Sequence, residues 1–224
     1  MNVAAWLERN GRSFPERPAI ARGASLHADF RTWAARAGAI AGALLDALGC
    51  HPGECAAIIM RNQPEYLEAK FGIWHAGLCA VPVNARLHQS EFEYILADSR
   101  SRVAFVSPDL GETIVPLIDR VPSLERVVIA PGSEWDAFLD HAPHGLVSRA
   151  PTDPAWLFYT SGTTGRPKGA TLTHRNLAAM TLSYFADIDF VAPEDCILHA
   201  APLSHGSGLY GLPFVAKAGL SVLP

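Results

Sequence analysis

The sequence predicts an α/β fold of mostly parallel sheets with helices on both faces, arranged in two subdomains. The first observation is rhythm: short apolar runs recur between Ala56 and Leu139 with helix-length amphipathic segments between them. Strands spaced this way form right-handed βαβ units around a sheet covered on both sides. The second is a break in that rhythm over 140–154, where Pro143, Pro151 and Pro154 cluster with polar residues. It divides the chain into residues 1–150 and 151–224. The third is composition: 49% apolar and 18% charged over 224 residues is enough for a sizeable core.

Residues 3–12 read as a short helix anchored by Trp6. Ala19–Ala21 and Ser25–Ala28 flank Arg22-Gly23 as a hairpin. Asp29 caps a helix with apolar Phe30, Trp33, Ala34, Ala37, Ile40, Ala41, Leu44, Leu45 and Leu48, and Gly49 stops it. Its polar face is sparse and mixed in sign, which favours a packed core helix over membrane contact. Ala56–Met60 is a strand, and Pro64 opens a helix running to about His75, with Trp74 and His75 in structural roles. Ala80–Val83 is a strand, and Ser90 to Glu93 has the form of a capping box for a helix through Ala97. Val103–Val106 is a strand, 110–118 a helix, Val127–Ile129 a strand and Trp135–Leu139 a short helix.

Beyond the break, Ala155–Tyr159 is a buried strand whose end Tyr159 closes, and Ala170–Leu172 is a second strand. Thr173 caps a helix carrying Leu177, Met180, Tyr184 and Phe185, with His174 and Arg175 serving capping and packing. Cys196–Ala200 is a strand, a glycine-rich helix follows Pro202-Leu203-Ser204-His205, and Leu220–Leu223 is a last strand. An open edge on that last strand invites pairing with another chain, a route to a homo-oligomer.

Charge and cysteine content narrow the function classes. A formal charge of −4 offers no basic field for nucleic acid. No apolar run reaches the length of a membrane span, and the N-terminus acquires charge too early for a signal-peptide core. Cys50, Cys55, Cys79 and Cys196 lack CxxC spacing and read as reduced, buried thiols. The expectation is a soluble, cytoplasmic protein with no metal site assigned in this chain.

The most informative stretch is Tyr159-Thr160-Ser161-Gly162-Thr163-Thr164-Gly165-Arg166-Pro167-Lys168-Gly169. Nothing in it buries apolar area. It supplies hydroxyls, backbone N–H groups and one ammonium, which is the equipment for holding a polyphosphate. It does not fit the G-x-x-x-x-G-K-[ST] loop of nucleotide triphosphatases, since the second glycine is missing whether counted from Gly162 or from Gly165. That loop also opens into a helix, whereas here a strand follows. Side-chain hydroxyls and Lys168 must then carry more of the binding than a helix dipole does.

Tyr159 to Gly169, extended by Ala170 to Asn176, resembles the signature loop of the adenylate-forming (AMP-binding) enzymes. Arg61–Tyr66, Ile73–Gly77, Pro82–Leu87 and Pro202–His205 resemble the acyl-CoA synthetase, or fatty-acid–CoA ligase, branch in particular. The resemblance implies two half-reactions: a carboxylic acid and ATP give an acyl-adenylate, and coenzyme A then displaces AMP. It implies ATP with Mg²⁺ as cofactor and CoA as co-substrate. By position, Thr160, Ser161, Gly162, Thr163, Thr164, Gly165 and Lys168 would hold the phosphates, with Lys168 and Thr164 catalytic. His205, Gly206, Ser207 and Gly208 would shape the acyl pocket, with Tyr210 nearby. His205 would orient the acid rather than act as a base, because a carboxylate is already ionised. The resemblance also implies parts that this sequence does not contain: the adenine- and Mg²⁺-binding tyrosine–glycine–threonine–glutamate motif, a ribose-binding aspartate and the adenylation lysine. The expectation is therefore an N-terminal portion, inactive by itself. The alternatives are a truncated homologue acting as a binding or assembly module, a peptide-synthetase adenylation domain, or a luciferase-like enzyme.

Overall fold

The computed structural model describes residues 1–160 and 166–224. Among these residues ten strands form two sheets. The larger has the order β6-β5-β3-β4-β7-β8, built from β3 (Cys55–Ile59), β4 (Cys79–Pro82), β5 (Ser101–Val106), β6 (Arg126–Ile129), β7 (Pro154–Thr160) and β8 (Lys168–Thr173). All its neighbours are parallel except β7 and β8, which form an antiparallel hairpin. The smaller has the order β2-β1-β10-β9, from β1 (Pro18–Arg22), β2 (Ser25–Asp29), β9 (Cys196–Leu198) and β10 (Leu220–Leu223). Here β1, β10 and β9 are parallel and β2 returns antiparallel. The expected α/β class with mostly parallel sheets holds.

Both sheets take strands from each side of the 140–154 segment, since β1 pairs with β10 and β4 with β7. Units 1–150 and 151–224 thus share both sheets. The last strand is not an open edge either: β10 lies between β1 and β9, and the edges of its sheet are β2 and β9. The edge-pairing route to an oligomer through Leu220–Leu223 is therefore closed, because both sides of that strand already have partners.

Helices α1 (Ala5–Ser13), α2 (Phe30–Gly42) and α3 (Pro64–His75) pack in succession, α1 on α2 and α2 on α3. In α1 the buried anchors are Leu7 and Asn10, while Trp6 is only half-buried; Asn10 donates to the Val215 carbonyl at 2.6 Å. Asp29 caps α2 by accepting from the Thr32 N–H at 2.8 Å, as its sequence position predicts. The helix widens into a π turn over Ala43–Ala47 before Gly49, whose φ of +61° suits glycine. Aromatic rings tie this layer together: Trp33, Phe71, Trp74 and Trp156 follow one another at centroid distances of 4.9, 5.2 and 6.0 Å.

Helix α4 (Gln89–Asp98) is capped two residues earlier than expected, by His88 rather than Ser90. His88 Nδ1 accepts from the Ser90 N–H at 3.3 Å, and Glu91 accepts from the His88 N–H at 2.9 Å. The imidazole therefore takes the place assigned to the Ser90 hydroxyl. The helix expected over 110–118 is broken into a 3₁₀ turn at Pro108–Leu110, one α turn at α5 (Gly111–Ile114) and a second 3₁₀ turn at Val115–Asp119. Pro116 has no N–H to bond one turn back, so the α pattern does not propagate. The remaining helices are α6 (Ser133–Leu139), α7 (His174–Asp187) and α8 (Gly206–Ala216). Thr173 caps α7 reciprocally with Asn176, at 3.2 and 2.9 Å. His174 is buried at the start of α7 and its Nδ1 accepts from the Val3 N–H at 3.3 Å. All four cysteines are free, but Cys196 is exposed on the edge strand β9 and Cys55 is only half-buried. Among the described residues no helix is long and apolar enough to cross a membrane.

Candidate functional site

The site grows from the β7–β8 hairpin. Apolar Ala155 and Trp156 sink the start of β7 into the core, while Thr160 at its end is exposed opposite Lys168. Gly169 faces Tyr159 across the hairpin; a Cβ there would stand 3.1 Å from both the Tyr159 ring and Leu157. Glycine thus lets the tyrosine ring lie over the second strand. The Tyr159 hydroxyl donates to Asp98 at 2.6 Å, tying the hairpin to α4. Burial, then the Asp98 carboxylate, pushes that phenol above its ordinary pKa. Arg166 lies 5.9 Å from the centroid of the Tyr94 ring. Ser161, Gly162, Thr163, Thr164 and Gly165 lie outside the described residues.

The carboxyl ends of β4 and β7 point to one place, where open parallel sheets bind ligands. A cavity of about 380 Å³ lies there, lined among others by Val83, Asn84, Phe158, Thr160, Pro167 and His205. A smaller one of about 280 Å³ adjoins it, shares Asn84 and Ser204, and reaches Arg61 and Arg86. His205 is the N-cap of α8; its ring meets Phe158 edge-on at 5.5 Å, and its Nδ1 is 2.9 Å from the Ser204 hydroxyl.

The structure therefore brings Thr160 and His205 to one cavity, with Lys168 beside them on the hairpin. Gly206, Ser207 and Gly208 are not among its lining residues. Ser207 turns its hydroxyl to His199 Nδ1 at 2.8 Å. Gly208 is packed so closely that a Cβ would stand 1.9 Å from the Leu203 carbonyl oxygen. The donor chemistry where the hairpin strands end, the Thr160 hydroxyl opposite the Lys168 ammonium, fits phosphate oxygens. Among the described residues no group of three or more His, Cys, Asp or Glu side chains is placed to hold a metal.

Several contributors are not evident from sequence spacing. Asn62 clamps the segment leading to His205: it donates to the His199 and Ala201 carbonyls at 2.7 and 2.8 Å and accepts from the Leu203 N–H at 2.9 Å. Phe158, Asn84 and Leu87 complete the larger cavity's wall. His199 is fully buried, and burial followed by the nearby Lys70 pushes its pKa down to about 3. The motif Arg61–Tyr66 was the available signal for Asn62; nothing in the sequence marks His199 as a partner of Ser207.

A hydroxyl and an ammonium at the facing ends of β7 and β8, beside a partly apolar cavity at the carboxyl end of a mostly parallel sheet, mark an α/β protein with a candidate ligand site at that sheet end. Residues 7–224 match the family model for AMP-binding enzymes, and the chain belongs to that family. A feruloyl-CoA synthase from Amycolatopsis sp is 35% identical over 225 residues, which is 99% of this chain and 43% of that protein. A benzoate–CoA ligase from Thauera aromatica is 31% identical over 188 residues, 81% of this chain and 36% of its own length. Among solved structures, an anthranilate CoA ligase in complex with anthranoyl-AMP superposes with a TM-score of 0.89 at 27% identity, over 100% of this chain and 44% of that one. The N-terminal domain of FACL13 from Mycobacterium tuberculosis gives 0.84 at 25% identity, over 100% of this chain and 56% of that one. The chain thus spans about half or less of the length of these relatives.

Proposed function

We propose that this chain supplies the phosphate loop and one wall of the acyl pocket of an ATP-dependent acid–thiol ligase of the acyl-CoA synthetase type. The observation that carries the reading is that the β7–β8 hairpin and His205 meet at one cavity of about 380 Å³. Val83, Leu87, Ile95 and Phe158 in its lining suit an acid with an apolar acyl body.

In the first step a carboxylate oxygen attacks the α-phosphorus of ATP, and the bond to the β-phosphate oxygen breaks. Pyrophosphate leaves with the electron pair, giving the acyl-adenylate. A thiolate of coenzyme A then attacks the acyl carbon, forming the thioester and releasing AMP. The obstacle in the first step is an anion attacking a polyanion. Thr160, Ser161, Gly162, Thr163, Thr164, Gly165 and Lys168 would hold the β- and γ-phosphates, and Lys168 would neutralise charge on the departing pyrophosphate. Mg²⁺, when bound with ATP, would supply the remaining neutralisation. His205 would set the carboxylate's direction against Phe158. The contacts to adenine and ribose, and the adenylation lysine, would come from residues this sequence does not contain, so the chain alone would exchange no pyrophosphate.

The test is ATP–pyrophosphate exchange with a panel of carboxylic acids, run on this chain and on the whole reading frame that encodes it. Acid-dependent exchange is expected only from the latter. There Lys168→Ala should lower it by about 2–4 kcal/mol of transition-state stabilisation, the usual effect of one preorganised donor. Unchanged exchange in Lys168→Ala would remove the role given to that lysine.

A further inference from the structure

One face of α3 lies beneath the whole segment that ends in the cavity. Tyr66 and Lys70, four residues apart, share one side of α3, and Asn62 lies just ahead of the helix, before its extended cap residue Gln63. Asn62 holds the His199–Leu203 end through three hydrogen bonds. Lys70 holds the other end, its ammonium donating to the Gly208 carbonyl at 3.0 Å. His205 stands between the two ties. Also between them, the Tyr66 hydroxyl and His199 Nε2 are buried without a hydrogen-bond partner.

Packing alone does not explain Lys70. Its side chain is 1% exposed, and none of the ion pairs among the described residues includes it. The groups facing it are the Gly208 carbonyl from α8, His199 from beyond β9, Trp156 from β7, and Phe71 and Trp74 from its own helix, with ring centroids 5.5–5.8 Å away. An apolar chain of equal length would fill the same space with no charge to desolvate. The ammonium's evident work is the Gly208 tie.

We propose that Lys70 is a positioning residue for His205, pinning the first turn of α8 to α3 and so fixing where the imidazole meets the cavity. The pin itself is independent of the ligase reading; only its consequence for acid orientation rests on that reading. Because burial lowers the Lys70 pKa to about 7, the charge on the pin changes near neutral pH.

The experiment uses the 224-residue chain with labelled histidine, without ATP or acid. Ring signals of His199 and His205 are followed by NMR from pH 6 to 9, together with amide exchange over 206–212. Wild type should show a step in both rings where Lys70 loses its proton. Lys70→Met should abolish that step and speed exchange of the α8 amides about tenfold, as expected for one lost charge-assisted hydrogen bond. Lys70→Gln, which keeps a donor without the charge, should lose the step and retain most of the protection. Asn62→Ala should speed exchange at 199–203 and keep the step. Unmoved His205 signals in a folded Lys70→Met chain, or a step that survives in it, would overturn the proposal. Since no substrate is present, missing acid activation would leave this result standing, and intact activation with an unmoved His205 would sink the positioning claim alone.

Discussion

Lys70→Met should also change how stability depends on pH, and the size follows from its burial. Desolvation takes the ammonium from an ordinary 10.5 to about 7. Each factor of ten in proton affinity is worth about 1.4 kcal/mol, so a wholly charged Lys70 destabilises the fold by about 5 kcal/mol. The sign is set by which state holds more protons. Between the folded and unfolded pKa values the unfolded chain holds the proton and the native chain has released it, so stability rises with pH. From pH 7 to 8.5 the gain is roughly 1.5 kcal/mol for this one group. The lowered histidines act below 6.5; near the top of the window Cys55, lowered by its hydrogen bond with Cys79, acts in the same sense as Lys70, while Cys50 and Cys79, both raised, act in the opposite sense, so the difference between wild type and Lys70→Met isolates the lysine. Urea unfolding at pH 7.0 and 8.5, extrapolated to water, measures the difference. Wild type should gain the stated amount and Lys70→Met should not. A flat wild type, or an equal gain in the variant, refutes the argument that the ammonium is desolvated at the Gly208 carbonyl.

Gly208→Ala places a Cβ 1.9 Å from the Leu203 carbonyl oxygen and 3.1 Å from Trp156, so it should destabilise the chain by about 3 kcal/mol or more in thermal unfolding. A loss below about 1 kcal/mol would mean that α8 can slide at no penalty. Acid should unfold the chain early, because burial lowers His174 to about 4 and His199 to about 3, and the unfolded chain takes up those protons first as pH falls through 6.5. Replacing His199 with Gln should flatten the stability profile between pH 6.5 and 4; an unaltered profile there would contradict its buried, neutral state. Glu68 is fully buried against Arg36 at 2.5 Å and His27 at 2.9 Å. Arg36→Met should therefore be destabilising by about 3 kcal/mol, and adding Glu68→Gln should recover most of it. Additive losses in the double variant would show that the pair is not coupled.

Most elements were legible because their signals are local. The apolar spacing of Phe30, Trp33, Ala37 and Ile40, the Asp29 and Thr173 caps, and Pro64 at a helix start all act within a turn or two of themselves. The failures have local causes as well. Pro116 withholds one N–H and breaks a helix, and an imidazole at His88 caps as a hydroxyl would. The pairing of β1 with β10 was not legible, since alternation in a strand says nothing about which distant strand it meets. The site shows the same division. The phosphate loop is a contiguous motif and reads directly, and His205 reads from its four-residue context. The Asn62 clamp and the Lys70 tie join residues more than 130 positions apart; their traces in the sequence were the Arg61–Tyr66 motif for the one and a charge within an apolar helix for the other.

The parallel pairing of Ile20 with Ser221 has a kinetic consequence. At roughly 5–20 residues per second of synthesis, β10 leaves the ribosome about 10–40 s after β1. For that interval the β1–β2 hairpin exists with one edge unpaired, while the nearer-neighbour strands of the other sheet already have partners. Closing so long a loop adds little to the equilibrium penalty, which grows only logarithmically with length, but it delays the last step. The order of assembly thus leaves a buried central strand, Ala19-Ile20-Ala21, open to the wrong neighbour until the chain emerges as far as Leu223. Holding that strand apart is work for a chaperone, and a nascent chain arrested before β10 should be the form that such a factor captures.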